Sequence, residues 1–196
     1  MKGKDGTGAR DDELIRATLG GDDEAFRELV ERYKTRAFGV AVGIVGDRDD
    51  ALDVVQESFV KAFYKLKDFR FGSSFYTWFY RLLVNQAIDR WRKASRSGEV
   101  PLDEGRLSED ESPPDSFAYP TTPEEDLMNR ELGDALQKAI AGLSEHHRAV
   151  ILLREVEGMA YEEIAKTLGC STGTVMSRLH YAREKLKTAL GRHMKG

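Results

Sequence analysis

A single cysteine, Cys170, stands in a chain of 196 residues, which excludes an internal disulfide framework. No stretch approaches the roughly 20 apolar residues that a membrane span requires. Met1–Arg10 lacks the apolar core of a secretory signal. The expectation is therefore a cytoplasmic protein with no membrane insertion. Strand patterns are missing as well, so the expected fold class is all-α. Proline is confined, with all five prolines between Pro101 and Pro123. His146 and His147 adjoin each other, but one thiol completes no ligand spacing with them. No metal and no other cofactor is expected.

Net charge is only −4, a balance that hides strong segregation along the chain. Residues 1–59 carry 9 basic and 14 acidic groups, and residues 60–98 carry 9 and 2. Residues 99–134 carry 2 and 12, and residues 135–196 carry 10 and 6. Two basic blocks flank one strongly acidic block, which is how a nucleic-acid binder can have an acidic whole-chain average.

The breakers divide the chain into two helical domains and a tether. A disordered tail is expected over 1–10, a helical domain over 11–94, an acidic proline-rich linker over 95–123 and a second helical domain over 124–196. Within the first domain one helix runs from about Asp11 to Leu19. A second follows Gly20–Gly21, capped by Asp22 or Asp23, and buries Phe26, Leu29, Val30 and Tyr33 before a stop at Gly46. A third, from Asp49 to Phe69, places Leu52, Val55, Phe59, Phe63 and Leu66 on one apolar stripe. A short loop, Arg70–Ser74, leads into an aromatic helix from Phe75 to about Lys93. Helices resume near Pro123–Glu125, and Ser144 caps one that runs through Val150, Leu153 and Val156.

Residues 158–185, GMAYEEIAKTLGCSTGTVMSRLHYAREK, carry the strongest motif. Apolar positions recur at helical spacing through Ile164, Ala165 and Leu168, stop at Gly169, and resume from Val175 through Leu179, Ala182 and Leu186. Such a helix-turn-helix leaves its second helix proud, and that helix fits a major groove about 12 Å wide. A plain three-helix bundle shows the same periodicity. Asp53, Gln56 and Glu57 share one helix face by i, i+3, i+4 spacing, just after Asp49 and Asp50 in the first turn, where carboxylates suit the helix dipole. An ordinary solvated acidic face fits that pattern equally well. Asp47–Asp53 lacks the glycine that a calcium loop needs at its sixth position.

Three segments resemble bacterial sigma factors of the RpoE-like extracytoplasmic-function (ECF) group. They are DALDVVQESFVKAF (50–63), FGSSFYTWFYRLLVNQAIDRWRK (71–93) and LSEHHRAVILLREVEGMAYEEIAKTLGCSTGTVMSRLHYAREKL (143–186), in the family's order and with a linker in the family's place. The resemblance implies a dissociable RNA polymerase subunit. Its first domain would be sigma region 2, which reads and melts the −10 element, and its second would be region 4, which reads the −35 element. The implied partners are core RNA polymerase, through the coiled coil of its largest subunit and its β flap, promoter DNA, and an anti-sigma factor covering both domains. No catalytic residue is implied.

By the same resemblance Asp50, Asp53, Gln56 and Glu57 contact core polymerase. Melting and −10 recognition fall to Phe69, Arg70, Phe71, Ser73, Ser74, Tyr76, Trp78, Arg81, Asn85, Arg90, Arg92 and Lys93. Phe69 and Asn85 match positions lining a pocket for a flipped base. Rings that stack on exposed bases contribute roughly 1–3 kcal/mol per base. The loop reads RFGSS where relatives more often have Arg-Gly, an acid and Ser, so Phe71 and Gly72 are departures. Recognition of the −35 element falls to Arg154, Ser171, Thr172, Gly173, Thr174, Met176, Ser177, Arg178, His180, Tyr181 and Arg183. Many relatives carry a basic residue at the Met176 or Tyr181 position, so apolar contact and shape readout gain weight here. The acidic tether suits a path through the polymerase's basic RNA channel, and its roughly 29 residues reach about 95 Å when extended.

Two other classes fit less well. An autonomous helix-turn-helix regulator usually dimerises, and no heptad seam is present. A nuclease built on Asp49, Asp50, Asp53 and Glu57 would draw every carboxylate from one helix, with no second element to complete a two-metal site.

Overall fold

The computed structural model describes residues 4–97, Gly133, Ala135, Leu136 and 138–193, and every described element is helical. The first unit comprises α1 (Lys4–Leu19), α2 (Asp23–Val45), α3 (Arg48–Lys65), a 3-10 turn (Leu66–Asp68) and α4 (Phe75–Ser97). The second comprises α5 (Glu145–Ile151), a π-helical turn (Leu152–Val156), α6 (Tyr161–Leu168) and α7 (Thr172–His193). The start of the helix expected near Pro123–Glu125, and most of the linker, lie outside the described residues, while Gly133, Ala135, Leu136 and 138–141 of that helix are described and helical. The first linker residues are described too: α4 carries on to Ser97.

The caps follow the sequence. Asp22 accepts from the Glu24 and Ala25 amides to start α2, and Gly46 ends it at φ 84°, in the left-handed region that favours glycine. Asp47 accepts from the Asp50 amide to start α3. Ser144 precedes α5 without bonding its backbone; its hydroxyl faces His147 Nδ1 at 2.6 Å instead. Helix α5 then widens into the π turn after Ile151, so Val156, expected to face inward, stands exposed.

The tail does not end where composition predicts. α1 begins at Lys4 rather than near Asp11. Asp11 is buried and bonds the Arg32 guanidinium and the Tyr33 hydroxyl, while Arg10 pairs with Glu28 at 2.7 Å. A helix docked by those contacts extends backwards at little cost, since each added residue gains a hydrogen bond after nucleation.

Aromatic rings fill the first core. Phe79 stacks on Phe59 with centroids 4.4 Å apart and on Phe75 at 5.8 Å, and Tyr33 closes the group. The stripe expected on α3 is rotated. Its buried positions are Ala51, Val54, Val55, Ser58, Phe59 and Ala62, whereas Leu52 and Phe63 are exposed. α2 and α4 cover the side of α3 carrying the smaller residues, and the apolar arc is wider than they can hide. Phe26 and Val30 of α2, expected in the core, are only half-buried beside the same exposed strip.

The two units also pack on each other. α6 lies along α4, and α5 with the π turn lies against α2, so one apolar core runs through both. At Gly43 of α2 a Cβ would fall 2.6 Å from Leu152 Cδ1, so the backbone of one unit touches a side chain of the other. Buried Arg148 donates to Leu143 O (2.9 Å) and Ala141 O of its own unit and to Ile44 O (2.8 Å) of the first, with its guanidinium over the Trp91 ring.

Candidate polymerase and promoter surfaces

The four residues expected to contact polymerase are not placed alike. Asp53 and Gln56 are exposed, Asp53 by 60% although its carboxylate still lies 3.7 Å from Arg90 Nη2. Gln56 borders an open apolar groove between α2 and α3 lined by Phe26, Leu52, Val60, Phe63 and Tyr64. Asp50 and Glu57 turn toward α4 instead. Asp50 accepts from Arg90 Nε at 2.9 Å, and Glu57 accepts from the Gln86 amide. Arg90, expected to contact the −10 strand, is thereby held on the α3 side with its pKa raised by the Asp50 hydrogen bond and charge. The groove itself escapes a sequence reading because Leu52 and Phe63 look like core. The available signal is the excess of large apolar residues on one 18-residue helix.

The aromatic stretch sorts in the same way. Trp78, Arg81, Asn85 and Arg92 fall on one face of α4 by i, i+3, i+7 and i+14 spacing, and Arg81 and Asn85 are exposed. Lys93 is exposed nearby. Phe69, expected to line a base pocket, is 6% exposed and sits edge-on to Phe71, Phe75 and Trp78. It supports the loop from beneath. Phe71 takes the exposed place: at φ 52° it is the one non-glycine residue with positive φ among those described, and its ring is 41% exposed under the Arg16 guanidinium. Arg70, Gly72 and Ser74 are exposed around it. Ser74 caps α4, accepting from the Thr77 amide at 3.2 Å, and Ser73 is half-buried.

Tyr76 departs from expectation. It points away from the Trp78 face into the seam, where its hydroxyl donates to Glu157 at 2.7 Å. Burial and the Glu157 charge push its phenol pKa well above the ordinary value. Arg92 likewise donates across the seam to Glu145 Oε1 at 3.1 Å.

In the second unit Gly169 turns the chain at φ 62°, and Ser171 Oγ accepts from the Thr174 amide at 3.1 Å to start the second helix of the motif. Val175, Leu179 and Ala182 face inward, leaving Thr172, Gly173, Met176, Ser177, His180 and Tyr181 outward. Thr174 is half-buried with its hydroxyl 2.9 Å from Ser171 Oγ. Several expected contacts already have neighbours. Arg183 pairs with Glu155 at 2.7 Å, Arg154 donates to Met159 O at 2.7 Å, and Arg178 approaches Cys170 Sγ at 4.0 Å. His147, unassigned by sequence, packs on the Tyr181 ring with centroids 4.5 Å apart.

The His146 and His147 imidazoles are held below their ordinary value of 6.5, first by burial and then by the Arg178 charge, with Arg92 adding to the effect at His146 and Glu145 opposing it at both. The unfolded chain then binds more protons through the histidine range, so stability is full above that range and falls as pH drops through it. The expected thermal midpoint is lower at about pH 5.5 than at about pH 7.5, and His146→Gln with His147→Gln narrows that gap. Melting curves at the two pH values check it.

Among the described residues no three carboxylate, histidine or cysteine side chains gather as a metal site. No described helix is long and apolar enough to cross a membrane.

Comparison with known proteins identifies the two units. Residues 29–97 match sigma-70 region 2, and residues 133–186 match sigma-70 region 4. The ECF RNA polymerase sigma-E factor of Haemophilus influenzae is 38% identical over 92% of this chain and 95% of its own length. The RNA polymerase sigma-H factor of Pseudomonas aeruginosa is 36% identical over 94% and 95%. The solved structure of CnrH in complex with the cytosolic domain of CnrY superposes with a TM-score of 0.67 at 26% identity, covering 93% of this chain and 98% of that one. RpoE of Bartonella quintana, in complex with the anti-sigma factor NepR, gives 0.64 at 25% identity, over 85% and 96%. With both regions present in order and relatives matched over nearly their whole length, the chain belongs to the extracytoplasmic-function group of RNA polymerase sigma factors.

Proposed function

We propose that this sigma factor docks on core polymerase through the Asp53–Gln56 edge and the apolar groove beside it. The groove carries the reading. A DNA-binding regulator working alone has no use for a strip of exposed Leu52, Val60, Phe63 and Tyr64 next to carboxylates. Phe71, Arg70 and the Trp78–Arg81–Asn85 face then take the melted −10 strand, while the second helix of the motif takes the −35 groove through Thr172, Met176, Ser177, His180 and Tyr181. The work is positioning and strand separation, not bond chemistry, and it belongs in the cytoplasm with the polymerase. One solved relative is described in complex with the cytosolic domain of CnrY and another with the anti-sigma factor NepR. A comparable anti-sigma factor is the expected regulator here.

Transcription start mapping on fragmented genomic DNA, with core polymerase and with or without the chain, tests the reading. The expected result is a set of chain-dependent starts sharing spaced −10 and −35 elements, reduced by Asp53→Ala or Gln56→Ala. Tight operator binding by the free chain without new starts would favour an autonomous regulator.

A further inference from the structure

We propose that the seam between the two units is an intramolecular lock, fastened by Glu157, that keeps the free chain from engaging both promoter elements at once. In this arrangement α6, the first helix of the DNA-binding motif, lies directly on α4, the helix bearing the −10 face. Promoter elements some 50–60 Å apart along DNA that rises about 3.4 Å per base pair cannot both be met by units in contact. Promoter engagement therefore requires the seam to part.

Glu157 is a charged group buried in that seam, with its side chain 1% exposed. Its carboxylate accepts from Arg36 Nη2 at 2.8 Å and from the Tyr76 hydroxyl at 2.7 Å, and Tyr76 also reaches the Glu157 carbonyl at 3.2 Å. Tyr80 is buried beside them. Arg36, Tyr76 and Tyr80 belong to the first unit, so every one of these contacts crosses the seam. The backbone fixes the carboxylate in place: the Glu157 amide donates to Leu152 O at the end of the π turn, and Gly158 follows at φ 64°. The closed form also withholds Tyr76 and Arg92, whose hydroxyl and guanidinium bond Glu157 and Glu145. The α2–α3 groove, by contrast, opens to solvent. The lock thus taxes promoter binding and leaves the proposed polymerase dock free, and apparent affinity falls in proportion to the open fraction.

The consequence for transcription rests on the reading above, whereas the lock is a property of the isolated chain, so two measurements are paired. Small-angle scattering of the full chain reads closure, and transcription at limiting chain concentration reads its effect. Glu157→Ala and Arg36→Glu are each expected to enlarge the radius of gyration with helicity unchanged, and to lower the half-maximal chain concentration by up to about tenfold. Combining Arg36→Glu with Glu157→Arg should restore both the compact form and the wild-type concentration dependence. Single variants as compact as the wild type would overturn the lock. So would single variants that open yet gain nothing in transcription. If the wild type directs no transcription at all, the sigma reading fails and scattering alone judges the lock.

Discussion

Phe63→Asp is expected to lower transcription by about 100-fold or more while leaving the helical fold intact. The ring is 41% exposed, touching Phe26 at 5.0 Å and Tyr64 at 5.9 Å, so the first core loses little when it goes. In a docked complex the same position is covered. There the substitution removes an aromatic anchor and buries a carboxylate without a partner, each costing about 2 kcal/mol or more. Since about 1.4 kcal/mol is a factor of ten, the two together exceed two orders of magnitude. Pull-down of core polymerase and a thermal melt of the free variant separate the effects. Lost binding with a preserved melt is the expected pair, and a collapsed melt would return Phe63 to the core.

Phe79→Ala is expected to do the opposite, damaging the fold first and function only in consequence. Phe79 is fully buried and stacks on both Phe59 and Phe75. Truncating such a ring costs about 3–5 kcal/mol through lost transfer energy and the cavity left behind. Whole domains are stable by only about 5–15 kcal/mol. At about 4–8 °C per kcal/mol for a unit of this size, the midpoint should fall by more than about 10 °C. A denaturant melt checks the figure, and a loss under about 1 kcal/mol would mean that the site collapses around the gap.

Much of this architecture is legible in the residues. Asp22, Gly46 and Gly169 punctuate the helices because carboxylate caps and left-handed glycines have few structural alternatives. Val175, Leu179 and Ala182 announce the motif's second helix by period alone. Phe63 and Leu52 mislead, because periodicity says which residues are apolar and not which side a neighbouring helix will cover. Phe69 is buried and Phe71 exposed for a related reason. A family motif assigns positions, but the left-handed backbone at Phe71 decides which ring faces water. Tyr76, Arg90 and Arg92, read as contacts for a nucleic acid, also have carboxylate partners within the chain. Those partners lie on other helices, Asp50 on α3, Glu145 on α5 and Glu157 beyond the π turn, and no local spacing reveals them. The backward reach of α1 depends in the same way on a buried Asp11 whose partners are 21 and 22 residues away.

Two cations lining the seam keep company within their own unit. Arg148 retains the Leu143 and Ala141 carbonyls when Ile44 is withdrawn, and Arg36 retains the Tyr76 ring, 5.3 Å from its guanidinium. Parting the units exposes them to water without leaving them bare, since each lost contact is replaced by hydration. Such a joint resembles a clasp more than a weld: parting it asks neither half to refold.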